Sequence, residues 1–144
     1  MTQENKQLVL KDISTRLPYG IKALYYDYIE KKEVFGTIDV IYIDQDGDIT
    51  DCSVGIGYWK LELSEIKPYL FPMSSMTDEQ KNTFSGKVSI LNAFIDGSIC
   101  LSEDEELTPE DIIELFDFLN KNHFDYRGLI EKGLALDATG LNIY

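Results

Sequence analysis

The chain has 144 residues, 44% of them hydrophobic and 27% charged, with 26 acidic against 13 basic side chains and a net charge of −13. That is too apolar for a disordered tail, and no apolar run approaches the ~20 residues a membrane helix needs. Nucleic acid and anionic lipid are held by clustered Lys and Arg, so neither is expected as a direct partner, and basic protein surfaces and metal cations are what this charge attracts.

The length fits one domain over residues 1–144. The opening, MTQENKQLVLKD, is polar from the start and has no apolar h-region, so no secretory signal is expected. The cysteines, Cys52 and Cys100, form no CxxC. They read as two separate buried thiols in a reducing cytoplasm.

A first helix is expected over 5–17, with Leu10, Ile13 and Leu17 on one face and Asn5 as cap, stopped by Pro18 and Gly20. Residues 21–28 read as a strand, and 30–33 as an exposed turn. Residues 34–44 alternate with both faces partly apolar, which predicts a central strand. Asp46-Gly47 is a hairpin signal, followed by a returning strand over 49–56, with a bulge or bend at Gly55 and Gly57. Trp59, Leu61 and Leu63 alternate with Lys60 and Glu62 as in a half-buried strand.

Further along, residues 64–70 suggest a short helical turn closed by Phe71-Pro72. Thr77 with Gln80 has the capping-box pattern of a short helix reaching to about Phe84. The apolar stretches flanking Asp96-Gly97 read as a second hairpin or loop. Thr108-Pro109-Glu110-Asp111 starts a helix: a cap, a proline at the first position, and acids at the positive end of the dipole. Its core stripe is Ile112, Leu115, Phe116 and Leu119, and Asn120–Asn122 end it. One or two more helical turns are expected over 127–132, closed by Gly133, before an apolar tail that docks on the domain.

Few motifs carry chemistry. Asp44, Asp46 and Asp48 open like a calcium loop, but the sixth position is Ile49 and the twelfth is Gly55, so a charged turn is the better reading. Ser85-Gly86-Lys87-Val88 lacks the hydroxyl residue and first glycine of a phosphate loop. With one histidine and no Cys/His cluster, no metal or other cofactor is expected. That histidine, His123, is close in sequence to Asp125, Tyr126 and Arg127, side chains that catalysts and ligand sites use. A corner between helices also ties itself together with such residues.

The most distinctive feature is charge distribution. No Lys or Arg occurs between Lys87 and Lys121. Glu103, Asp104, Glu105 and Glu106 lead into Glu110, Asp111, Glu114 and Asp117, and Glu110, Glu114 and Asp117 share a helix face with Lys121. Such acids form either a partner-binding surface or an ordinary solvated face.

Three stretches, LPYG at 17–20, IKPYLFPMSSMT at 66–77 and LNKNHFDYRGLIEKGLALDA at 119–138, resemble a family of small proteins of Bacteroides-type gut bacteria, carried in their phages and mobile elements. The resemblance implies a genomic setting and supplies no activity, cofactor or catalytic residue. In that setting, small acidic accessory proteins bind host or phage proteins, and some place carboxylates where phosphates would sit.

The expected fold is α+β: an N-terminal helix, a small, strongly bent, barrel-like antiparallel sheet, and a helical C-terminal segment. The expected function is non-catalytic: docking of the acids at 103–117 on a basic protein partner. The alternatives are a small enzyme or ligand-binding protein using His123, Asp125, Tyr126 and Arg127, and a structural or virion-associated protein.

Overall fold

The computed structural model describes residues 1–43, 52–96 and 107–144. It is α+β, and the chain opens with helix α1 (Gln3–Arg16), capped by Thr2, whose Oγ1 accepts from the Asn5 N–H at 3.2 Å. The cap thus lies three residues before the expected one. Its inner face is Val9, Asp12, Ile13 and Arg16. A 3₁₀ turn over Leu17–Tyr19 and Gly20 end it, as the LPYG signal implied.

Strands β1 (Lys22–Asp27) and β2 (Lys32–Thr37) form an antiparallel hairpin. At its turn, Asp27 Oδ1 accepts from the Ile29 and Glu30 N–H groups. The expected continuous strand over 34–44 is broken. The Ile38 N–H bonds to the Ile21 carbonyl beside β1, whereas the Asp39 N–H bonds to the Gly55 carbonyl. Between those residues the chain leaves one sheet for another. Strand β3 (Val40–Tyr42) is therefore an edge strand, paired with β4 (Ser53–Ile56), which pairs in turn with β5 (Trp59–Glu62). The Asp46-Gly47 turn lies outside the described residues.

Gly57 takes φ +57° in the two-residue turn between β4 and β5, so the expected bend is a reversal of the chain. Gly36 serves a different need. A Cβ there would stand 2.6 Å from Ile56 Cγ2, so the two sheets approach where β2 has no side chain.

After a 3₁₀ turn at Leu63–Glu65, residues expected to be helical form β6 (Ile66–Leu70). Pro68 concealed it, since proline rarely sits inside a sheet. Here the proline marks a change of partner: Ile66, Lys67 and Pro68 pair with β1, and Tyr69 and Leu70 pair in parallel with β7 (Leu136–Asp137). The four-stranded order is β2-β1-β6-β7. Among the described residues the strands form two antiparallel-rich sheets, and neither closes into a barrel.

The remaining elements are helical. α2 (Asp78–Asn82) has the expected Thr77–Gln80 capping box. α3 (Val88–Asp96) stands where the first part of a second hairpin or loop was expected, because Ile90, Leu91 and Ile95 turn inward at helical spacing. α4 (Pro109–Lys121) has Thr108 and Asp111 as a reciprocal capping box. Leu115 and Leu119 are buried as expected, while Ile112 is 41% exposed. The expected helix over 127–132 is a run of turns, in which Asp125 accepts from the Leu129 and Ile130 N–H groups at 2.9 and 2.8 Å. That carboxylate draws the chain into a compact loop before a helix can begin.

Two cores result. An aliphatic one lies under the sheets and α1, built from Val9, Ile13, Ile21, Val54, Leu61, Ile66, Leu70 and their neighbours, with Cys52 buried among them. An aromatic-rich one lies among the helices, where Phe84, Leu91, Leu115, Leu119 and Phe124 pack with Phe71, Phe116, Phe118 and Tyr126.

Candidate functional site

The stretch between α4 and the C-terminal loop is held from three sides. The end of α4 is a Schellman closure: the His123 N–H bonds to the Asn120 carbonyl and the Phe124 N–H to the Leu119 carbonyl. His123 occupies the left-handed position of that motif, at φ +58°, where Gly or Asn is usual. The next residues are bound to the end of β6, because the Phe71 N–H donates to the His123 carbonyl and the Asp125 N–H to the Phe71 carbonyl.

The third side is Arg16. It is fully buried and donates from Nε and Nη2 to the two oxygens of Asp12 at 2.8 and 2.9 Å. Its remaining donors reach the Leu119 and Phe124 carbonyls at 3.3 and 2.7 Å. A cation at the C-terminal end of α4 also meets the negative end of that helix dipole. Arg127 Nε stands 3.5 Å from Asp12 Oδ1, an ion pair without hydrogen-bond geometry. The Tyr126 ring faces both guanidiniums, at 5.2 Å from Arg16 and 4.8 Å from Arg127, and its hydroxyl donates to Asn120 Oδ1 at 2.9 Å. Burial pushes the Asp12 carboxyl above its ordinary value, against the pull of Arg16 and Arg127.

The four residues singled out at this corner therefore do not converge. Asp125 clamps the loop, Arg127 pairs with Asp12, and Tyr126 spans the two guanidiniums. Asp125 and Tyr126 line one groove of about 750 Å³ together with Asp96 and Glu131. His123 lines another, of about 600 Å³. Among the described residues no cluster of His, Cys, Asp or Glu is arranged to hold a metal.

His123 is 4% exposed, and its ring lies flat against Tyr144, 4.0 Å between centroids at 18°. Nδ1 of the ring is buried with no hydrogen-bond partner. Burial, assisted by the charge of Arg16, lowers its pKa from 6.5 to about 4, so it is neutral at pH 7. The Tyr144 hydroxyl accepts from the Lys22 N–H at 3.0 Å and donates to the Tyr69 carbonyl at 2.7 Å. Ala23 pairs with Pro68, so Lys22 and Tyr69 would form the next rung of the β1–β6 ladder. The Tyr144 hydroxyl occupies that rung.

Of the acidic set, residues 103–106 lie outside the described residues. Asp111 is engaged within the fold. Its carboxylate accepts from the Thr108 N–H and hydroxyl and pairs with Lys87 at 3.2 Å, and these contacts, Thr108 first, hold it below the usual range. Glu110, Glu114 and Asp117 are exposed on the outer side of α4, and they form no ion pair among the described residues. Ile113, 59% exposed, lies between them in sequence.

Sequence reasoning missed Asp12, Arg16 and Tyr144. The first two carried a signal: Asp12 and Arg16 continue the spacing of Val9 and Ile13 along the inner face of α1. Tyr144 gave none, because its partners are 75 and 122 positions away.

Comparison with protein-family models, with curated proteins and with solved structures returned no match.

Proposed function

We propose that this is a non-catalytic accessory protein that docks on a basic protein through the outer face of α4. The observation that carries this reading is the trio Glu110, Glu114 and Asp117, exposed together and unpaired within the described residues, with the exposed Ile113 among them. Carboxylates around an apolar side chain offer a basic partner long-range attraction and a desolvated contact at once. Residues 103–106 would extend this charge, and competition with nucleic acid for the same basic surface is the specific form it would take. The phage or mobile-element setting implied by the LPYG, IKPYLFPMSSMT and LNKNHFDYRGLIEKGLALDA stretches, and a cytoplasmic location, belong to the same proposal.

The ligand-site alternative at the corner gains less support as a unit, because Asp125 and Arg127 are engaged in holding the fold. The test is affinity capture from a bacterial lysate with wild type and with the variant Glu110→Lys, Glu114→Lys, Asp117→Lys. The expected result is a basic protein retained by wild type at low salt, released by high salt or added duplex DNA, and absent from the variant. Equal retention by the variant overturns the reading.

A further inference from the structure

The groove beside His123 differs in charge from the groove lined by Asp96, Asp125 and Glu131. In a chain with twice as many acids as bases, its lining includes Lys22 and Lys121 and no Asp or Glu. The groove lined by Asp96, Asp125 and Glu131 contains no base. Aromatic surface is also present: Tyr19 and Tyr144 are 37% and 40% exposed, and Phe71 is half-buried. A volume of about 600 Å³ is within the range of small-molecule sites.

Two features of His123 set this groove apart from an incidental surface crease. Its Nδ1 is buried without a partner in a residue that is 4% exposed, and a buried polar atom left unmatched is costly. In a neutral ring Nδ1 is either an N–H donor or an acceptor, and a hydroxyl can serve either. The backbone at His123 is also held at positive φ, where a glycine would serve the helix end with less strain.

We propose that this groove binds a small aromatic anion that carries a hydroxyl or amino group. The anionic group is held by Lys22 and Lys121, the ring lies against Tyr19 and Phe71, and the hydroxyl or amino group satisfies His123 Nδ1. The Lys22 ammonium rests 5.8 Å from the Phe35 ring, so it must swing from that ring toward the groove. Tyr144 covers the imidazole face, so full engagement of Nδ1 requires its ring to shift. The proposal involves none of the carboxylates of α4 and stands or falls independently of the docking reading.

The experiment is an amide-resolved NMR titration of the full chain with 4-hydroxybenzoate, benzoate, inorganic phosphate and benzamidine. Saturable shifts are expected at Gly20, Lys22, Asn122 and His123, strongest for 4-hydroxybenzoate and absent for the cationic benzamidine. The variant Lys22→Gln, Lys121→Gln, which alters two surface side chains, should retain the wild-type spectrum and bind about tenfold more weakly. His123→Asn keeps the left-handed backbone and should erase the preference for the hydroxylated probe. No saturable shift with any anion up to about 10 mM, or equal affinity in the double lysine variant, overturns the proposal.

Discussion

The two cores are built by different means. Beneath the sheets, Val, Ile, Leu and Ala side chains fill the interior, and the order of the region comes from backbone ladders that set each strand in register. Among the helices, rings do much of that work. Phe84 and Phe118 meet edge to face at 5.2 Å, as do Phe116 and Tyr126, and the helix ends are held by side-chain caps. The sheet half is specified by many equivalent hydrogen bonds, each replaceable in part by its neighbours. The helical half depends on a few particular contacts, and Arg16 joins the two by carrying charge from α1 to the carbonyls at the end of α4.

The largest expected effect breaks that junction. Asp12→Ala leaves the buried Arg16 and the half-buried Arg127 around a missing anion, and should lower unfolding free energy by about 3–5 kcal/mol in a denaturant titration. A loss under ~1 kcal/mol would mean the two halves are joined by packing alone.

Acidification should weaken the helical half selectively. The unfolded chain protonates His123 near pH 6.5, whereas the folded chain refuses that proton until about pH 4. Stability is therefore full above pH 6.5 and declines as pH falls through that window, by up to roughly 3 kcal/mol. Asp12 acts in the opposite sense: its raised folded pKa adds stability as pH falls toward the unfolded value of 3.8. His123→Asn isolates the histidine part, and its stability, followed by thermal melts from pH 7 to 4, should lose the decline.

The smallest effect probes the sheet half. Gly36→Ala places a methyl against Ile56, and should cost about 1–3 kcal/mol as the sheets part. Chemical denaturation followed at Trp59 would detect it, and an unchanged midpoint would show that the sheets adjust without strain.

How much could be read from the residues follows the same division. The capping boxes at Thr77 and Thr108 and the stop at Pro18 and Gly20 were legible because each is complete within a few positions. β6 was not, because Pro68 argues against a strand unless one knows that its partners change there. The stretch of α3 was read as part of a second hairpin or loop on the strength of Asp96-Gly97, and the helical spacing of Ile90, Leu91 and Ile95 shows itself only once their inward packing is seen. At the candidate site, His123 was visible as the one histidine, but its neighbours in sequence were not its neighbours in the groove. Lys22, Tyr19 and Tyr144 reach it from elements more than 20 positions away, and pairings of that kind leave no local periodicity to detect.

The rung filled by Tyr144 gives the molecule a gauge of its own. The Lys22 amide hydrogen is sheltered by a phenol from the far end of the chain, so the rate at which it trades with solvent deuterium reports how long residues 136–144 stay seated. Since the same ring covers His123, that single proton would register the opening of the groove separately from the unfolding of the sheet around it.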